Sequence, residues 1–228
     1  MDQSNQTHWI PLADLMTGLM MVFMLIAVSY MLKVEQTTTL IVKEYEITKA
    51  DLVRALQSEF AENLKQWDAE FLGDMTLRFK NPGVLFATGS SNLKPQFQAI
   101  LKDFIPRYIK ILTSPKFKDS IKEVRIEGHT STFWVATKSN QVAYFNNMAL
   151  SQARTRSALE YILTLPEIAP QEEWLRKFLT ANGLSSSRPV FKSSSETVDE
   201  DASQRVEFRI VTNAEEQLEK ITKGIATR

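Results

Sequence analysis

Between Pro11 and Leu32 the chain is almost wholly apolar, yet it keeps one carboxylic acid, Asp14. A charged side chain at the centre of a bilayer is disfavoured by about 2.5–3.5 kcal/mol, so an acid retained in such a run has a candidate role. A carboxyl group that meets water at one time and a dry environment at another takes up a cation and gives it back, which makes it a carrier of charge. On a helix Asp14, Thr17, Gly18 and Met21 share one face at i, i+3, i+4 and i+7. Small neighbours permit close helix approach, and the Thr17 hydroxyl adds an oxygen beside the acid. The plainer alternative is that Asp14 lies at headgroup level, solvated or favouring the positive end of its helix.

The element that must position this acid is a membrane-length helix. No charged side chain occurs from Leu15 to Leu32, and Pro11 to Leu32 would extend roughly 33 Å as a helix, enough to cross the hydrocarbon core. The first ten residues carry no Lys or Arg, and Tyr30-Met31-Leu32-Lys33 makes a poor cleavage site. The segment is therefore expected to be an uncleaved anchor rather than a secretory signal. Trp9 and Tyr30 suit the interfaces and Pro11 a first helical turn. Lys33 and Lys43 lean weakly toward a cytoplasmic C-terminal side.

Composition narrows the rest. The 228 residues hold 27 Lys+Arg and 27 Asp+Glu, giving a net charge of zero and no electrostatic case for direct nucleic-acid binding. The chain has no cysteine, which removes disulfides, thiol catalysis and thiolate-bound metals. Its two histidines, His8 and His129, are too isolated for a metal site, and His129 is expected to be a hydrogen-bonded structural residue. No nucleophile–base set, Walker loop or dinucleotide fingerprint is present, so no enzyme and no cofactor are expected.

Past the apolar run, Tyr45, Leu52, Leu56, Phe60, Leu64 and Trp67 recur at helical spacing through a polar connector. That stretch is either a helix packed on its own domain or a juxtamembrane coiled coil. Alternation then predicts strands at 75–80, 123–130 and 205–212, with Val206, Phe208 and Ile210 on one face. Helical periodicity covers 97–112, with Pro106 a candidate kink, then 150–163 and 172–179. Residues 81–95 read as turn-rich around Val84, Leu85 and Phe86, and 186–204 as a mobile loop. Strands separated by helices of these lengths imply an α+β class with helices packed on one mixed sheet.

Two resemblances follow from particular residues. WIPLADLMTGLMMVFMLIAVSYM is similar to the single transmembrane helix of B subunits of ion-driven stator complexes. Ala13-Asp14-Leu15-Met16-Thr17 fits that family's pattern, which implies that Asp14, with Thr17 beside it, binds the translocated ion, with H+ favoured and Na+ the alternative. LFATGSSNLKP (85–95), VRIEGHT (124–130), ALSQARTRSALEYIL (149–163), GLSSSRPV (183–190) and ASQRVEFRI (202–210) resemble, in order, an OmpA-like peptidoglycan-binding domain. In that family an arginine and an aspartate clamp the carboxylate and amine of a peptide-stem amino acid, chemistry that suits a planar guanidinium and a carboxylate. Arg154 matches the arginine of Leu-Ser-x-x-Arg, Thr130 the threonine of Gly-His-Thr, and Arg205 the last arginine of Asn-Arg-Arg. The sequence departs where the family's aspartate is Ser131 and where Asn-Arg is Ser203-Gln204.

An aspartate-bearing helix joined to such a domain resembles the stator B-subunit plan. The short N-terminal tail without basic residues and the SQRVEFRI segment resemble the B subunits of Zorya antiphage systems; a flagellar stator B subunit and a passive wall-anchoring protein are the alternatives. The resemblance implies a homodimer inside a pentameric multi-helix A subunit. It also implies a single-pass protein of the bacterial inner membrane, N-terminus cytoplasmic and C-terminal domain periplasmic on peptidoglycan, against the weak leaning of Lys33 and Lys43. The expected organisation is a tail (1–10), a transmembrane helix (11–32), a helical connector (33–72), the OmpA-like domain (73–213) and a tail (214–228).

Overall fold

The computed structural model describes residues 9–193 and 195–213. His8, most of the 1–10 tail and the whole 214–228 tail lie outside the described residues. The chain divides into two units, one running up to Ile47 and the other formed by Thr48–Asn213. Helix α1 (Trp9–Gln66) contributes to both.

In the first unit α1 includes a stretch, Trp9–Leu40, that is long and apolar enough in composition to cross a membrane. Its large side chains are exposed, among them Leu15, Met20, Phe23 and Leu25. The expected membrane segment lies within this stretch, and helix continues through residues 33–66 without a break.

In the second unit Leu52, Leu56 and Phe60 lie at i, i+4 and i+8 on one stripe of α1 and are at most 1% exposed. From Thr48 onward, then, the helix packs on its own domain, the first of the two readings open at the sequence level. Phe60 joins Trp67, Phe79, Phe97, Phe104, Tyr108 and Phe208 in an aromatic core with ring centroids 4.7–6.4 Å apart. Helix α1 ends where Asp68 takes a left-handed backbone conformation, φ 50°, which turns the chain into a strand. Residues 69–72 are thus not connector helix as expected: they form β1 (Ala69–Leu72), paired antiparallel with β2 (Thr76–Phe79).

The remaining elements are α2 (Pro82–Leu85), α3 (Pro95–Leu112), β3 (Ile121–Gly128), α4 (Asn140–Leu163), α5 (Glu172–Phe178), β4 (Leu179–Gly183), β5 (Val190–Phe191), β6 (Val198–Asp199), α6 (Glu200–Ser203) and β7 (Val206–Thr212). Helix α3 runs through Pro106. Helix α4 begins ten residues earlier than its apolar periodicity suggests, because Ser139 caps it by accepting from Val142 N. Residues 186–204, expected to be a mobile loop, instead contain the β5–β6 hairpin and α6.

The five-stranded sheet has the order β1-β2-β7-β3-β4, antiparallel except for β3 with β4. Leu77, Phe79, Val124, Ile126, Val206, Phe208 and Ile210 are buried in the core. Because side chains alternate, the same register turns Arg78, Glu207 and Glu127 to the opposite face, aligned across β2, β7 and β3.

Candidate functional site

The site of the second unit lies where β3 ends and the chain passes along α4. Gly128 and Gly183 pair across β3 and β4, and both are needed for helix α4 to approach. A Cβ on Gly128 would lie 2.7 Å from Thr155 Cγ2, and one on Gly183 would lie 2.3 Å from the backbone nitrogen of Gln152. This contact fixes the height of α4 over the sheet and hence the position of Arg154. The loop after Gly128 is then tied down by backbone bonds: His129 N donates to Arg205 O, and Thr130 N to Ser185 O, each at 3.0 Å. Ser185 holds a left-handed conformation, φ 52°, while its amide donates to Ser151 Oγ and its hydroxyl to Tyr144 O. Asn147 Nδ2, two turns before Arg154 on α4, donates to both Ser131 O and Phe133 O at 3.1 Å.

Arg154 is 7% exposed. Its Nε donates to Ser90 O at 2.9 Å and its guanidinium lies 5.0 Å from the centre of the Phe86 ring. Burial lowers its pKa from the ordinary arginine value. Arg205 is also buried and donates through Nε to Glu207 (2.7 Å), through Nη1 to Ser203 O and through Nη2 to Arg188 O. Arg154 and Arg205 line one small cavity together with Leu85, Phe86, Gly128, His129, Gln204 and Val206. Thr130 is buried and its hydroxyl has no hydrogen-bond partner among the described residues. The Ser131 hydroxyl turns onto Phe133 O, 3.5 Å away. Thr130, Ser131, Arg154 and Arg205 are thus brought onto one end of the sheet.

Beneath this end lies an ionic network that the sequence reading missed. Glu127 and Glu207 stand opposite each other and are nearly fully buried. Arg78 and Arg205 bind Glu207 at 2.8 and 2.7 Å, while Arg188 and Arg209 approach Glu127 at 3.2 and 3.7 Å. The alternation in VRIEGH and RVEFRI marked both acids as polar-face residues, but their pairing depends on register. Burial by itself would raise the Glu207 carboxyl; His129 and Arg205 outweigh it and hold the group well below the usual carboxylate range. His129 Nε2 lies 3.3 Å from Glu207 Oε2, yet neither ring nitrogen makes an aligned hydrogen bond. The ring sits at ion-pair distance from that carboxylate, and burial pushes its pKa below the ordinary value. Glu127, His129 and Glu207 are spaced as metal ligands could be, but guanidiniums already stand where a cation would bind, so the cluster reads as structural.

In the first unit, Asp14 and Thr17 lie on exposed helix. Thr17 Oγ1 donates to Ala13 O at 2.8 Å, which leaves its lone pairs free to accept.

The mixed sheet with its packed helices and this arginine-lined end define the class of protein: the model of the OmpA family matches residues 85–203, just over half of the chain. The periplasmic domain of Helicobacter pylori MotB superposes with a TM-score of 0.44 at 17% identity, covering 65% of this chain and 84% of that one. The cell wall anchor of the T6SS from Pseudomonas aeruginosa gives a TM-score of 0.46 at 21% identity, covering 69% and 96%. Over 96% of this chain and 94% of the relative, the sequence is 46% identical to the Zorya protein ZorB of Escherichia coli (strain Crooks). The chain belongs to the OmpA family and, within it, to the family of the Zorya ZorB proteins.

Proposed function

We propose that the chain is the B subunit of a Zorya-type ion-driven motor in the bacterial inner membrane. Two copies stand inside a ring of five ZorA-like multi-helix A subunits. The N-terminus is cytoplasmic, and the Thr48–Asn213 unit is periplasmic and held to peptidoglycan through the end of the sheet that carries Arg154 and Arg205. Asp14 of each copy alternately takes up and releases the translocated cation, a proton in preference to sodium, with Thr17 offering an oxygen beside it. One charge crossing 100 mV releases about 2.3 kcal/mol, so a few crossings suffice to drive a sizeable conformational cycle.

The observation that carries this reading is the single acid: Asp14 is the only charged side chain from Trp9 to Leu32 on a helix apolar and long enough to span a membrane. Replacing Asp14 with Asn keeps the size and removes the charge. The expected result is a complex that assembles but neither conducts protons in vesicles containing both subunits nor protects cells from phage. Retained conduction and protection would reject the carrier role. A passive wall anchor makes the opposite prediction, that an unrelated apolar helix could replace residues 11–32 without loss.

A further inference from the structure

A peptide-stem diamino acid presents a carboxylate and a free ammonium group. The buried Arg154 guanidinium, bonded among the described residues only to the neutral backbone oxygens of Ser90 and Ala87, receives the carboxylate, and the ammonium needs an anionic acceptor nearby. Position 131 cannot supply one, because Ser131 is uncharged and its hydroxyl is turned back onto Phe133 O. Glu127 and Glu207 cannot either, since both are buried and bound by arginines.

We infer that Glu200 is the ammonium-binding residue of this site, reaching it from α6 rather than from the loop after β3. Glu200 Oε2 accepts from Thr132 N at 2.7 Å and Oε1 accepts from the Thr132 hydroxyl, so the carboxylate is fixed on the residue next to Ser131. Both donors are neutral, and no described lysine, arginine or histidine forms an ion pair with it. A carboxylate has about four acceptor positions, so this one keeps capacity for a cation. It is half-buried, accessible to a ligand yet partly shielded from water. One turn later Gln204 Nε2 donates to the Glu200 backbone oxygen and lines the same cavity as Arg154 and Arg205. Asn147 holds the other side of the 131–133 loop from two turns before Arg154 on α4, about 10 Å along the helix axis. Glu200 thus fixes an anion on the 131–133 loop, which Asn147 ties to α4, the helix that also carries Arg154.

The assignment rests on the peptidoglycan-binding reading. Its test is calorimetric titration of the full chain in detergent with two probes: a muropeptide carrying diaminopimelate, and the same muropeptide acetylated on its free amine. Acetylation is expected to weaken binding to the unaltered protein about tenfold, as for loss of one charge-assisted bond. Glu200→Gln keeps the shape and an acceptor for Thr132 N; it is expected to weaken the free-amine probe about tenfold and to bind both probes alike. Equal weakening of both probes by Glu200→Gln would make Glu200 a support of the loop only and overturn the assignment. Equal affinity of the unaltered protein for both probes overturns it without any variant. Failure of the unaltered protein to bind either probe instead removes the peptidoglycan-binding reading, and the assignment with it.

Discussion

Gly183→Ala tests whether the height of α4 over the sheet sets the site. The added Cβ would lie 2.3 Å from Gln152 N, 2.5 Å from Gln152 Cγ and 2.7 Å from Gln152 Cα, where ordinary contact begins at 3.4 Å. Two of those atoms are backbone and cannot swing aside, so α4 must retreat from β4 by about 1 Å, an overpacking that costs about 3 kcal/mol, the upper end of the usual range. The stiffer unfolded chain of the alanine variant returns up to about 1 kcal/mol. The net loss of about 2 kcal/mol lowers the melting temperature by about 4–8 °C for a domain of this size. Because Arg154 lies on the helix that moves, muropeptide binding should weaken in the same variant. Gly73, with nothing within 4 Å of a Cβ, serves as the control and should tolerate alanine. Circular dichroism melts and titration on both variants provide the measurement. If Gly183→Ala melts within about 1 °C of the unaltered protein and binds equally well, the close approach does not govern the site.

Arg154→Lys keeps the charge but loses the planar fork, so binding to purified cell wall should fall about tenfold; the buried contacts with Ser90 O and the Phe86 ring go with it, so the melting temperature should also drop by about 2–4 °C, as for a loss of about 1 kcal/mol. Acid stability should fall in two stages. His129 is held below its ordinary value of 6.5, so under that pH the unfolded chain takes up a proton that the folded chain refuses, and stability present above it is lost as pH falls. Glu207, held below its ordinary 4.5, adds a second loss beneath that value. Denaturant midpoints measured across pH check both stages, and His129→Asn should remove the first. An unchanged upper limb in that variant would refute it.

Much of this protein was legible along the chain, because periodicity and charge are local properties. The membrane-length helix with its single acid, the core-facing alternation of Val206, Phe208 and Ile210, and the helices around residues 97–112 and 150–163 all depend on side-chain spacing alone. So did the departure at Ser131. Other features depend on which segments meet in space. The strands β1 and β4 are short, Ala69–Leu72 and Leu179–Gly183, with weak patterns of their own; neighbouring strands recruit them. The packing of Leu52, Leu56 and Phe60 on the domain was one of two open readings until the core that receives them was in view. Nothing in the order of residues paired Glu127 with Glu207, brought four arginines and His129 around them, or placed Glu200 against Thr132 across 68 residues. Register and loop closure decide such contacts, and both are set by the packing of the whole domain.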